Sequence, residues 1–387
     1  MRLKRLLETE PLPGAHAAEE RSWQVVHAAF AERQPVRRRR PSWRYIAVAV
    51  ALAIVGAAAA SSPGRSLIHD AFVRGGDRDA ELTLRSLPTS GSLLVNAPGG
   101  AWIVHADGTR RRLGAYRDAT WSPHGRFVAA ARGEQLYALE PDGMVRWSLA
   151  RPAPVRLPSW SPAGRIPGDT RIAYLAGGSL HVVGGDSRGD HVLARAIAPV
   201  QPAWRPHAEH VVAFATADGR VEVEAADAAR RLWRTPRLGA VRRLAWSSDG
   251  RLLLVQLPRQ VRIFSAAGRP EAPLLGRGAA PVLASAFVPG RHTVTVVQRS
   301  PLTNINDVWL FGGETARRLF SGPGEIDQLA WSPNARWLLL SWSSADQWRF
   351  FQPAAPRRHV SVGHVGAAFT PGGRATTPTL SGWCCSG

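Results

Sequence analysis

The residues of this chain that could do chemistry are few, and their spacing assembles no familiar reactive site. The sequence contains no phosphate-binding loop and no His-Glu-x-x-His zinc motif. Of the twelve histidines, His207 and His210 are the closest pair, and the surrounding pattern places them at a turn and a strand start rather than around a metal. We therefore predict no catalytic, cofactor-binding or metal-binding residues, and a protein that is not an enzyme.

The only two cysteines are Cys384 and Cys385, which are adjacent. A disulfide between neighbouring residues closes a strained eight-membered ring, so we expect plain thiols or a bond to another chain. A redox role for the pair is the less favoured alternative.

A turn sequence that recurs along the chain must position whatever side chains bind a ligand. Close copies begin at Trp121, Trp246 and Trp331, and weaker copies begin at Trp160, Trp204, Phe287 and Phe369. A small residue precedes every one of these aromatics, and successive aromatics are 38 to 44 residues apart. Repeats of about 40 to 45 residues are typical of four-stranded propeller blades.

The chemistry of each copy explains why it should fold as part of a blade. We expect the aromatic to end an inner strand and to fill the gap between neighbouring blades, where a large rigid side chain buries much area. Pro123 suits the second position of a type I turn, and Gly125 suits the left-handed position that follows. A short apolar run, such as residues 252–255, then predicts a strand buried on both faces.

The recurring turn resembles the Trp-Ser-Pro-Asp-Gly turn of TolB-type and WD40-like bacterial propeller repeats, over about residues 90–387. The resemblance implies an all-β propeller fold, and the count of inner and alternating strands predicts seven blades, with six or eight as the alternatives. Phe287 and Phe369 depart from the pattern because they replace the tryptophan. We expect the ring to close by a clasp in which residues 92–113 supply three strands of a blade and residues 366–369 its inner strand.

The N-terminal region has a different character. Residues 1–42 are predicted to be a cytosolic tail with a short amphipathic docking helix, because Trp23, Val26 and Phe30 lie on one helical stripe. Residues 43–62 are predicted to be a transmembrane helix, since residues 45–60 carry no charge and two serines extend the run to eighteen residues. Residues 63–89 form the predicted juxtamembrane linker.

The orientation and processing of this segment follow from its flanks. The arginines before it outnumber those just after it, which places the N-terminus in the cytoplasm and the propeller outside. A cleaved signal peptide is the alternative, because residues 58–60 are alanines, but the 44 residues before the apolar run exceed an ordinary signal peptide's N-terminal region. We favour an uncleaved signal anchor.

The charge of the chain indicates the kind of partner. The net charge is +20, and Lys4 is the only lysine, so nearly all of the positive charge is arginine. A basic field favours anionic partners. We predict a membrane-anchored, extracytoplasmic propeller that binds a protein or an anionic envelope polymer, with no nucleic-acid partner. The alternative is a transmembrane, anti-sigma-type regulator with the propeller as its sensor, since the layout of tail, span and outer domain resembles such proteins. An enzyme with acidic and histidine side chains converging on the channel is a third class.

Overall fold

The computed structural model describes residues 84–162, 169–275, 280–300, 302–313, 315–355, 358–370 and 376–385, without the side chains of residues 272–275. The predicted docking helix with Trp23, Val26 and Phe30, the predicted transmembrane segment 43–62 and most of the predicted linker lie outside these residues. Among the described residues there is no helix with the length and apolar character that a bilayer crossing requires.

Within the described residues, 28 strands form seven four-stranded antiparallel sheets, which are the blades of a propeller. In every blade the strands are ordered from the innermost to the outermost. Blade 1 contains β28 (Thr379–Cys384), β1 (Ser92–Ala97), β2 (Gly100–Val104) and β3 (Arg110–Gly114). Blade 2 contains β4 (Arg117–Trp121), β5 (Val128–Arg132), β6 (Gln135–Leu139) and β7 (Val145–Ala150). Blade 3 contains β8 (Val155–Trp160), β9 (Arg171–Ala176), β10 (Ser179–Gly184) and β11 (His191–Arg195). Blade 4 contains β12 (Ala203–Trp204), β13 (Val211–Ala215), β14 (Val221–Ala225) and β15 (Arg230–Arg234).

The remaining three blades have the same order. Blade 5 contains β16 (Arg243–Trp246), β17 (Leu252–Gln256), β18 (Val261–Ser265) and β19 (Pro270–Leu275). Blade 6 contains β20 (Val282–Phe287), β21 (Val294–Arg299), β22 (Ile305–Gly312) and β23 (Thr315–Pro323). Blade 7 contains β24 (Ile326–Trp331), β25 (Leu338–Trp342), β26 (Gln347–Phe351) and β27 (His359–Gly363).

The inner strands contact one another in a closed cycle, β28 to β4, β8, β12, β16, β20, β24 and back to β28. They therefore surround a central channel. Each space between adjacent blades holds its own apolar core, as between blades 4 and 5, where Val223 packs with Trp246 and Leu253. The second strand of each blade supplies much of this core; all five residues of β13 are buried, for example. This burial on both faces is the reason that the second strands read as continuous apolar runs.

The ring closes by a clasp, but with a different strand from the expected one. Blade 1 combines three strands from the start of the domain with β28, in which Thr379 pairs with Asn96 and Trp383 with Leu93. The expectation that residues 366–369 form the inner strand is wrong. That segment is a one-turn helix, Val365–Phe369, and the Asp346 carboxylate accepts the Gly366 N–H at 2.6 Å near its start.

The serine of the recurring turn has a local structural role. Its hydroxyl accepts a backbone N–H five residues later, 2.9 Å from Ser122 to Phe127 and 3.0 Å from Ser247 to Leu252. The glycine is required at Gly250, where φ is +67° and a Cβ would lie 2.2 Å from the Pro206 carbonyl oxygen. Both features fix the turn that leads from the first to the second strand.

Candidate ligand-binding channel

Six of the seven predicted blade anchors end inner strands. They are Trp121, Trp160, Trp204, Trp246, Phe287 and Trp331, at the ends of β4, β8, β12, β16, β20 and β24. The indole N–H of Trp204 donates to the carbonyl of Ser159 at 2.9 Å, and that of Trp246 donates to the carbonyl of Ala203 at 3.1 Å. Both bonds reach the inner strand of the preceding blade. These two indoles therefore link neighbouring inner strands along the channel wall.

The seventh predicted anchor, Phe369, has a different location. It lies in the one-turn helix, is 1% exposed and packs against Trp102 and Trp348, with ring centroids 5.8 and 5.5 Å away. The aromatic residue near the end of the seventh inner strand is Trp383. Sequence reasoning missed Trp383 because no Ser-Pro turn follows it, although Gly382 provides the usual small residue before the aromatic.

Three arginines share one layer of the channel wall. The pairing between the first and second strands of each blade shows this. In blades 2, 3 and 5 the partner of the arginine lies three residues further along the second strand than the partner of the aromatic. The arginines are Arg117, Arg156 and Arg243. Arg117 pairs with Ala131 and Trp121 with Val128; Arg156 pairs with Leu175 and Trp160 with Ile172; Arg243 pairs with Gln256 and Trp246 with Leu253. Three residues of strand span about 10 Å. The layer therefore lies towards the face at which the inner strands begin, which we call the loop face.

Two β-bulges bring these arginines into register. In both β4 and β8 an extra residue follows the arginine, and the residues there, Asp118 and Leu157, have φ of 51°. A bulge of this kind locally kinks a strand and changes where its side chains point. Arg243 reaches the same layer from β16, which has no register shift.

All three arginine side chains are exposed. Within the part of the chain that the structure describes, none of the three has an ion pair or a side-chain hydrogen bond. Other arginines of the domain are paired, as in Arg151–Asp190 at 2.6 Å. Desolvation by the surrounding protein lowers the pKa of Arg243, but its delocalised guanidinium stays charged, as arginine does in proteins. The channel therefore presents three positive charges that are free to meet an anion.

The other side of the same layer is polar but not basic. Gln328 pairs with Ser341, three positions beyond the partner of Trp331, and Thr379 occupies the matching place in blade 1. Next to Gln328 lies Asp327, and burial raises the pKa of its carboxyl group, with a further contribution from Glu325. The arginines stand on blades 2, 3 and 5, whereas these residues stand on blades 7 and 1. The layer thus has a basic arc and a polar arc.

A second feature is a cleft of about 370 Å³ on the opposite face, which we call the turn face because the recurring turns lie there. Its lining residues come from the turns of blades 4, 5 and 6 and are His207, Ser248, Asp249, Gly290, Arg291 and His292. His292 Nε2 lies 2.8 Å from Asp249 Oδ2, and the Ser248 hydroxyl accepts the Gly290 N–H at 2.9 Å. Hydrogen bonds from Ser247, the Arg251 backbone and His292 lower the pKa of Asp249. The cleft ties three turns together and leaves Arg291 exposed.

The histidine pair of the sequence is separated in the structure. His207 lines the cleft, whereas His210 is 1% exposed and lies 2.6 Å from Asp227, with Nδ1 facing the carboxylate. Asp227 also accepts from Arg171 at 3.0 Å. Among the described residues no group of three or more His, Cys, Asp or Glu side chains is placed to hold a metal ion.

The cysteines differ from expectation, because Cys384 and Cys385 form a disulfide with each other. Cys385 has φ of 49° and lies just after β28, so it is not held in the sheet pairing. The two sulfurs lie against the first recurring turn. Cys384 Sγ is 4.0 Å from the Ser122 carbonyl oxygen, and Cys385 Sγ is 3.6 Å from the Pro123 carbonyl oxygen. The pair therefore sits where the closing blade meets blade 2.

No protein-family model matches the chain, and the search of curated proteins returns no match. Three solved structures share its architecture, each with a TM-score of 0.50. The β-propeller domain of Cps50 (Swd1) from Myceliophteria thermophila is 17% identical, and the alignment covers 66% of this chain and 94% of that one. A chain of the mitotic checkpoint complex is 17% identical, with 68% and 90% covered, and the Dos1 propeller is 14% identical, with 64% and 73% covered. At such identities the likeness shows the fold alone.

The fold and the channel together define the class of protein. The described domain is a seven-bladed β-propeller.

Proposed function

We propose that this propeller is a binding module that engages an anionic partner through the loop-face end of its channel. The observation that supports the proposal is the layer of Arg117, Arg156 and Arg243, three exposed guanidinium groups without carboxylate partners among the described residues. Guanidinium groups match carboxylates and phosphates in geometry and charge, and they are weakly hydrated compared with ammonium groups. Like charges gathered in a low-dielectric channel also attract counter-charged ligands from solution.

The test compares two charge reversals in the same blade. Arg156→Glu changes the channel, whereas Arg188→Glu makes the same change of charge in an outer turn, where the side chain is 88% exposed. The full chain is immobilised and exposed to an envelope fraction of its source cells, and bound material is eluted with salt. We expect Arg156→Glu to abolish retention of anionic partners and Arg188→Glu to preserve it. Equal retention by both variants would show that the channel arginines do not bind the partner.

We further propose that the module is anchored in the cell membrane by residues 43–62, with the propeller extracytoplasmic. The support is in the sequence: an uncharged apolar run of sufficient length with arginines before it. External protease added to spheroplasts should then cut the propeller and spare the tail around Trp23, and the intact chain should keep its mass of 41.8 kDa. A mature N-terminus just after residue 60 would rule out both the anchor and a signalling role for the tail.

A further inference from the structure

We propose that the cleft on the turn face is a second binding site, which holds the phosphate group of a small molecule. The cleft lies among the turns of blades 4, 5 and 6, at the opposite face from the channel layer, so the inference does not depend on the function proposed for the channel. Its volume of about 370 Å³ falls at the lower end of the range for small-molecule sites in proteins.

Bonds between neighbouring turns build the cleft. Arg205 Nε donates to the Gly250 carbonyl oxygen at 2.8 Å and joins the turns of blades 4 and 5. The Ser248 hydroxyl, which accepts the Gly290 N–H at 2.9 Å, joins the turns of blades 5 and 6. A Cβ added at Gly290 would meet no atom within 4 Å, so the space beside this bond is open. The walls are therefore fixed before a ligand arrives, which lowers the free-energy cost of binding it.

Asp249 is the acidic residue among those that line the cleft, and both of its carboxylate oxygens already have protein partners. Its Oδ1 accepts the Ser247 hydroxyl at 2.6 Å and the Arg251 N–H at 3.1 Å. Its Oδ2 lies 2.8 Å from His292 Nε2 and 3.7 Å from Arg251 Nε. These contacts offset the negative charge of Asp249, so this carboxylate does not dominate the electrostatics of the cleft.

The other polar groups of the cleft can donate hydrogen bonds to a ligand. His207, Ser248 and Arg291 are exposed and line the cleft from blades 4, 5 and 6 respectively. Within the part of the chain that the structure describes, the side chains of His207 and Arg291 have no hydrogen bond or ion pair. The Ser248 oxygen accepts a backbone N–H, and its hydrogen remains available to donate. The cleft therefore suits a ligand that accepts hydrogen bonds, and the guanidinium group favours an anion.

The number and origin of the donors favour phosphate over carboxylate. The donors come from three separate blades, and a phosphate group presents three strong acceptor oxygens around one phosphorus, whereas a carboxylate presents two oxygens in one plane. The charges nearby point the same way, because arginines outnumber carboxylates in the three turns. These charged residues are Arg205, Arg251, Arg291, Asp249 and Glu209.

The experiment is isothermal titration calorimetry of the purified full chain with three probes: glycerol 3-phosphate, glycerate and inorganic phosphate. The first two differ chiefly in the anionic group. We expect glycerol 3-phosphate to bind about tenfold more tightly than glycerate, since one further hydrogen bond to a charged group has about that effect. Inorganic phosphate distinguishes the source of the group: equal affinity indicates free phosphate as the ligand, and weaker affinity indicates a phosphate ester.

Matched variants locate the binding. Arg291→Gln should weaken glycerol 3-phosphate about tenfold, because it removes the charge-assisted hydrogen bonds. Arg336→Gln makes the same change of charge at an exposed arginine in the turn of blade 7, outside the cleft lining, and should leave the affinity within twofold. His207→Gly should also weaken binding; glycine readily adopts the φ of 56° found at His207, so the variant removes the imidazole without straining the turn. Thermal unfolding checks that each variant is folded.

Two results would overturn the inference. One is that glycerol 3-phosphate binds no more tightly than glycerate; the other is that Arg291→Gln and Arg336→Gln bind it equally well. If Arg243→Gln abolishes phosphate binding and Arg291→Gln does not, the phosphate enters the channel. The cleft inference then fails, while the function proposed for the channel gains support.

Discussion

Replacing Trp331 with alanine should remove one of the side chains that fill the space between adjacent blades. Trp331 is 7% exposed at the end of β24 and packs between blades 6 and 7 with Val308 and Phe351. Truncation of a large buried aromatic to alanine costs about 3–5 kcal/mol of unfolding free energy. The indole N–H also donates to the Thr295 hydroxyl at 3.1 Å, and Thr295 is fully buried. Loss of that donor adds about 1 kcal/mol.

We therefore expect Trp331→Ala to lower the unfolding free energy by about 4–6 kcal/mol, a large part of the roughly 5–15 kcal/mol typical of a folded domain. The measurement is urea unfolding of the purified full chain followed by far-UV circular dichroism. The midpoint should fall while the slope with urea stays constant, because the native fold is retained.

Two further variants control the interpretation. Trp331→Phe keeps an aromatic ring and loses the hydrogen bond to Thr295, so it should cost only about 1–2 kcal/mol. Trp102→Ala changes a tryptophan that is only partly buried and meets Phe369 edge-on, so it should cost less than Trp331→Ala. Losses below about 1 kcal/mol at both tryptophans would refute the role of Trp331 in holding the blades together.

Three further predictions concern ring closure, a turn carboxylate and the disulfide. Deleting residues 379–387 should abolish cooperative unfolding or cause aggregation, because it exposes the edge of β1; a melting temperature within a few degrees of the full chain would contradict the clasp. Asp249→Asn should make the free energy of unfolding depend less on pH. A carboxyl group whose pKa is lowered by folding stabilises the folded state above its ordinary pKa near 4, and this stabilisation is lost as the pH falls through its folded pKa. Urea midpoints at pH 6 and pH 3 measure the effect, and a difference between the two midpoints equal to that of the unmodified protein would contradict it. Replacing Cys384 and Cys385 with serine should change the unfolding free energy by less than about 1 kcal/mol, because a bond between adjacent residues constrains almost no chain in the unfolded state; a larger loss in the urea midpoint would show that the bond holds β28 in place.

The Asp249→Asn variant has a natural precedent within the same chain. Asn334 occupies the matching place in the turn after Trp331, and it accepts hydrogen bonds from the Ser332 hydroxyl at 2.8 Å and the Arg336 N–H at 3.1 Å. Asp249 accepts the equivalent bonds from Ser247 and Arg251. The substitution should therefore leave the turn folded and report on the charge of Asp249 together with its contact with His292.

The sequence predicted the repeating unit because its signals are local. A small residue, an aromatic and a Ser-Pro or Ser-Asp-Gly turn lie within a few positions of each other, and the physics of turn and strand acts over the same range. The same locality explains the error at Phe369. A phenylalanine followed by Thr-Pro-Gly imitates the repeat, but the segment before it forms a helical turn around Asp346, and the closing strand carries Trp383 at its end without the turn sequence.

The candidate binding layer could not be predicted in the same way. Arg117 and Arg156 lie four residues before the aromatics of their strands, whereas Arg243 lies three residues before its own. The sequence spacing alone therefore predicts that Arg243 lies at a different level of the channel from the other two. Only the bulges at Asp118 and Leu157 bring all three to one level of the channel. The composition determined that the domain would be rich in arginine, and the repeat determined that it would be a propeller. Tertiary structure decided which arginines share a level of the channel, because each one-residue bulge arises in the pairing of an inner strand with the second strand of its blade, β4 with β5 and β8 with β9.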